Sequence, residues 1–147
     1  ADIVARLSRG CLGWAIEAAH DPALLAGVHQ SLERIAEVVE EGLEDRLGYA
    51  EQLARRFQRD RAAGREELFL WLRWLRDVLL IQQHQIDTIV NVSWRDTIQR
   101  HASALTPADT VRWLHLVTES IQAMDRNANP RLTLDVMMLE APTMRMS

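Results

Sequence analysis

Residues 68–81 read LFLWLRWLRDVLLI, and the periodicity of that stretch decides the fold. Leu68, Trp71, Leu72, Leu75 and Leu79 recur at three and four and make one apolar helix face. Phe69, Trp74, Val78 and Ile81 cover much of the remainder, which leaves Arg73, Arg76 and Asp77 as a narrow polar strip. A helix that is apolar nearly all round must be enclosed by others. Residues 68–81 are therefore expected to be the central helix of a bundle.

Working outward, the segments on either side repeat the three-and-four pattern on one face only. Leu25, Val28, Leu32, Ile35, Ala36 and Val39 form one set, and Leu43, Leu47, Ala50, Leu53, Ala54 and Phe57 a second. Val111, Leu114, Val117, Ile121 and Met124 form a third. Gly42 separates the first two helices, and Gly64 is expected to close the second. Ser93 followed by Asp96 predicts a short helix to about residue 101. The run IDTIVNV has no partner strand and reads as a connector.

The four prolines punctuate this scheme. Asp21-Pro22, Thr106-Pro107 and Asn129-Pro130 each set an N-capping side chain before a proline in the first helical position. Asp109 lies three residues after Thr106, favourably placed near a helix start. Pro142 ends the last helix. In DRNANPRLTLDVMMLEAP (125–142), Asn127 suits the left-handed conformation that ends one helix, while Asn129 and Pro130 begin the next. Leu132, Val136 and Leu139 of that helix are expected to face inward. The fold class is thus all-α, a bundle of about five or six helices. Residues 1–20 are too short for a core of their own and read as the tail of a preceding domain, with 21–147 the bundle.

Composition narrows the function. With 48% hydrophobic and 26% charged residues the chain is ordinary for a globular domain. It starts at Ala1 without an initiator methionine, as a fragment of a longer chain would. One cysteine, Cys11, precludes an internal disulfide and suits the reducing cytosol. No apolar run approaches the roughly 20 residues of a membrane span, and no signal segment is evident. The net charge of −4 argues against a free-standing nucleic-acid binder. All 17 basic residues are arginine, which leaves no lysine for a Schiff base or a phosphate loop. The six glycines are scattered and form no phosphate cradle.

Few residues suggest chemistry. Glu17 and His20 have the Glu-x-x-His spacing of helical di-iron sites, but such a site needs a second copy and two further glutamates. The other histidines show no paired-ligand spacing, so no metal or cofactor is expected. Glu37, Glu40, Glu41, Glu44 and Asp45 read as a solvated face. Arg55, Arg56, Arg59, Arg61 and Arg65 sit at a helix end. Arginines there complement the helix dipole, or alternatively contact a partner or a phosphate backbone.

Three patches, in order, resemble one family. NANPRLTLDVMML, in a stretch that ends in AP after Glu140, is similar to the closing helix of the delta-prime subunits of bacterial DNA polymerase III. The stretch WLRWLRDVLLIQQHQIDTIVN resembles their Trp-x-Arg-Asp-Leu-Leu helix and the turn after it. LSRGCLGWAI resembles the last lid helix of the clamp-loader ATPases of AAA+ type. Asp135 departs from the family's usual glutamate, and residues 22–65 agree only in pattern. Trp71, Trp74, Asp77, Asn127, Asn129, Pro130 and Leu132 are the positions that carry the likeness.

The resemblance implies a collar domain that holds a clamp loader together, with residues 1–20 the end of its lid. It implies gamma/tau and delta subunits as partners, with the sliding clamp and primed DNA reached only through the whole complex, and a cytoplasmic setting. It implies no enzymatic role for these residues. Gly13 stands where ATP-hydrolysing relatives carry a phosphate-sensing arginine, unless a shifted register gives that role to Arg9. The gamma/tau collar is the runner-up; an enzyme within a helical bundle, another helical interaction protein and a helix-turn-helix DNA binder are more distant alternatives. Arg73, Arg76, Arg131, Arg55 and Arg59 are the candidate interface residues.

Overall fold

The computed structural model describes residues 22–85 and 92–144, and the expectations for 1–21, Gly13 included, and for all but the last residue of the IDTIVNV connector lie outside them. Among the described residues the chain forms six α-helices and no strand. They are α1 (Pro22–Glu40), α2 (Leu43–Arg59), α3 (Arg61–Gln82), α4 (Arg95–Ala104), α5 (Pro107–Asp125) and α6 (Pro130–Glu140). A single 3-10 turn, Val92–Trp94, leads into α4. No helix among them is long and apolar enough to cross a membrane.

Helix α3 is the axle, in contact with α1, α2, α4 and α5. Its Trp71 and Trp74, and Trp113 of α5, are fully buried. Trp71 meets Trp113 with ring centroids 5.3 Å apart, and Trp74 meets His101 at 5.5 Å. Each such ring removes roughly 150–250 Å² from water, an upper bound of roughly 4–6 kcal/mol. Truncating any of these tryptophans should cost about 3–5 kcal/mol of stability, so tests of function belong at exposed positions.

Asp77, expected on the polar strip of α3, is completely buried, with Arg76 Nη1 3.7 Å away. The strip is polar in sequence, yet four neighbours enclose the helix on most sides. A second polar network ties three helices. Glu67 of α3 accepts from Ser31 Oγ of α1 (3.1 Å) and from Tyr49 Oη (2.5 Å) and Arg56 Nη1 (2.7 Å) of α2. Tyr49 Oη in turn accepts from Trp71 Nε1 at 2.8 Å. Burial first, and then the Glu67 charge, push the Tyr49 phenol well above its ordinary range.

The helix starts follow the capping residues. Thr106 and Asp109 form a reciprocal capping box, and Asn129 Oδ1 accepts from the Leu132 N–H at 3.0 Å. Asn127 is left-handed at φ 62°, which closes α5. Two boundaries differ from the sequence expectation. Gly64 does not close α2: Asp60 separates α2 from α3 and caps the latter, and Gly64 lies in the first turns of α3. It is glycine because Phe57 crosses it, where a Cβ would come within 2.5 Å of the ring. Ser93 lies in the 3-10 turn, so α4 starts at Arg95 without a side-chain cap and continues to Ala104.

Arg46 ties the end of α1 to the segment just after α6. It is 2% exposed and donates to the Val38 (3.2 Å) and Val39 (2.9 Å) carbonyls in the last turn of α1 and to Pro142 (2.9 Å) beyond α6. Its guanidinium also lies 4.8 Å from the centre of the Trp113 ring. The carbonyl dipoles at the end of α1 carry partial negative charge and stand in for a carboxylate.

Candidate subunit interface

Helix α6 spans eleven residues, too short to be stable alone, and lies against α2 and α5. It buries Leu134, Met137 and Met138. Leu132, Val136 and Leu139, expected to point inward, are instead 66%, 42% and 56% exposed. At about 100° per residue the two triplets fall on nearly opposite sides of the helix. A single helix thus carries two apolar faces, one spent on the bundle and one open.

The open face adjoins a groove. Its first part, about 280 Å³, runs between α5 and α6 and includes Ala123, Leu132 and Val136. A second part, about 780 Å³, continues along α5 past Val111 to Pro107 and touches the end of α3 at Leu79. Both parts share Leu116, Glu119 and Glu140. Isolated apolar side chains on a surface are ordinary, but a contiguous apolar stripe beside a groove marks a contact surface.

The arginines proposed from sequence are distributed differently. Arg73 and Arg76, expected to be exposed, are half-buried on α3. Arg55 pairs with Glu51 at 2.7 Å. Arg131 holds Asp135 at 3.0 Å and lies 3.7 Å from the same Glu51. Arg55, Glu51, Arg131 and Asp135 therefore form one ion chain bridging α2 and α6. Arg59 is exposed, one turn beyond Arg55, with no carboxylate partner among the described residues. The rest of the basic run is engaged. Arg56 holds Glu67, Arg61 Nη2 donates to the Met124 carbonyl, and Arg65 grips Asp125 through two bonds of 2.9 and 3.1 Å. Those bonds from Arg65 hold the Asp125 carboxyl below its usual range. Three of these five arginines, Arg56, Arg61 and Arg65, thus secure the corner between α2, α3 and α5, and Arg55 joins the α2–α6 ion chain, which leaves little for a phosphate backbone.

The acidic run is likewise partly committed. Arg34 meets Glu37 at 3.1 Å and Glu41 at 2.9 Å. Glu40 accepts two bonds from Arg100 (2.8 and 3.0 Å), which lower its pKa. Behind it, His101 is fully buried; its Nδ1 accepts from Trp74 Nε1 at 3.0 Å, and Nε2 faces Glu40 at 3.4 Å. Burial pushes this imidazole below its ordinary value. Among the described residues no group of three or more His, Cys, Asp or Glu side chains is arranged to hold a metal ion.

The family-motif residues divide into two groups. Trp71, Trp74 and Asp77 are buried, and Asn127, Asn129 and Pro130 shape the turn into α6. Leu132 is the one apolar residue of this set that is exposed. Sequence reasoning missed the outward set because it fitted one stripe to α6. Six apolar side chains in eleven residues were the available signal of a second face. No protein-family model, no curated protein and no solved structure matches the chain at a significant level.

Proposed function

We propose that this chain is the collar domain of a bacterial clamp-loader subunit of the delta-prime type, which helps hold together the complex that places the sliding clamp on primed DNA. One observation carries this most: the unpartnered Leu132–Val136–Leu139 stripe on the helix that bears the family-like NANPRL start. Such a helix is built to be covered on both sides. The remaining support is the order of the three family-like patches in the sequence. On this proposal the partners are gamma/tau and delta subunits, the setting is cytoplasmic, and ATP hydrolysis belongs to other parts of the complex.

A competition assay tests it. Added in molar excess to an intact clamp loader during assembly, the chain should occupy a collar position and slow ATP-driven loading of the clamp onto primed DNA. Undiminished loading at large excess would oppose the proposal.

A further inference from the structure

Glu119 lines both parts of the α5–α6 groove, and so does Glu140, the last residue of α6. Arg112 and His115 line its far part. Arg112, Glu119 and Glu140 have no ion-pair partner among the described residues, in contrast to Arg34, Arg55, Arg65 and Arg100. Charges flanking an apolar contact surface select the partner and its direction more than they add affinity. Along α5 the groove reaches from Pro107 to Ala123, which is about 24 Å at about 1.5 Å per residue.

From these features we infer that the groove receives one amphipathic helix of a different subunit. That helix is a little over four turns long, at about 5.4 Å per turn, and apolar on the face it buries. It carries an arginine or lysine where it passes Glu119 and Glu140, and an acidic residue near Arg112. Apolar side chains spaced at three and four would sit against Leu132, Val136 and Leu116, the helix-in-groove mode of recognition. A second copy of this chain is a poorer fit. Its own stripe is flanked by Arg131, which Asp135 already holds at 3.0 Å, so α6 offers no free cation to Glu140. This inference rests on the assembly role proposed above and specifies the surface and the partner chemistry for it.

The test uses the chain with the gamma/tau and delta subunits of the same organism. Affinities are measured for the unaltered chain, for Leu132→Ser and Leu139→Ser, and for the double variant Glu119→Arg, Glu140→Arg. All these positions are solvent-exposed, and an unchanged thermal midpoint verifies that each variant folds. A photocrosslinker at position 136 then identifies the partner segment. Each serine variant and the charge reversal should weaken binding tenfold or more, and the crosslink should fall on an amphipathic helix bearing a basic residue. Binding by the unaltered chain that neither set of variants weakens would overturn the groove as the docking site and leave the assembly role standing. Weakening by the serines without weakening by the charge reversal would overturn the basic-helix partner. A crosslink to a second copy would overturn the hetero-subunit occupant. Absence of binding to either subunit would overturn the inference together with the assembly role.

Discussion

Arg46 allows the energetics of the fold to be tested at one side chain. Replacing it by alanine removes three donated bonds of 2.9–3.2 Å and the contact with the Trp113 ring. A buried acceptor left without its donor costs about 1–3 kcal/mol, and a desolvated cation–ring contact is worth about 1–2 kcal/mol. Against this stands the cost of burying a guanidinium, visible as a lowered Arg46 pKa, which the substitution removes. The carbonyls of Val38, Val39 and Pro142 remain after substitution, so the loss should dominate at about 3 kcal/mol. For a chain of 147 residues this corresponds to a fall of about 9 °C in melting temperature. Arg46→Met, which fills the space without donating, should lose about 2 kcal/mol. Arg46→Lys, which keeps the charge but not the fork, should fall between methionine and the original. Urea titration followed by tryptophan fluorescence measures all three, with the m-value expected to stay constant. A loss below about 1 kcal/mol for alanine, or a methionine variant as stable as the original, would show that desolvation cancels the bonds and refute the reasoning.

Three further outcomes follow from the packing. Gly64→Ala should destabilise by about 1–2 kcal/mol despite the better helix propensity of alanine, because its Cβ would force the buried Phe57 ring to move; a gain in melting temperature would contradict this. Asn129→Ala should cost about 1 kcal/mol by freeing the Leu132 N–H, while Asn129→Asp should cost far less, as read by chemical denaturation. The unfolded chain takes up a proton at the His101 imidazole at a higher pH than the folded chain does, since burial depresses the folded value below 6.5. Stability should therefore be flat above about pH 7 and fall below about pH 6.5 with a slope of up to about 1.4 kcal/mol per unit. Denaturant midpoints from pH 7.5 to 5 should show that slope in the original chain and lack it in His101→Gln.

What the sequence disclosed depended on how local the cause was. The cap of Asn129, the box of Thr106 with Asp109 and the left-handed Asn127 are decided within four residues, and they are read directly. The burial of α3 was legible because Leu68, Trp71, Trp74 and Leu75 leave little polar surface on any side. Gly64 was misread because its cause is a ring seven residues earlier that folds back across it. Asp77 and the outward stripe of α6 depend on which neighbours close over each face, a property of the whole bundle. Arg46 gave no local signal, since one of its acceptors lies 96 residues away.

The most direct test of the assembly role is size-exclusion chromatography with light scattering, on the chain mixed with gamma/tau and with delta subunits. A complex of defined stoichiometry, absent when Leu132 and Leu139 are both serine, is the predicted result. A chain shown by circular dichroism to be folded, yet eluting apart from both subunits at tens of micromolar, would contradict it.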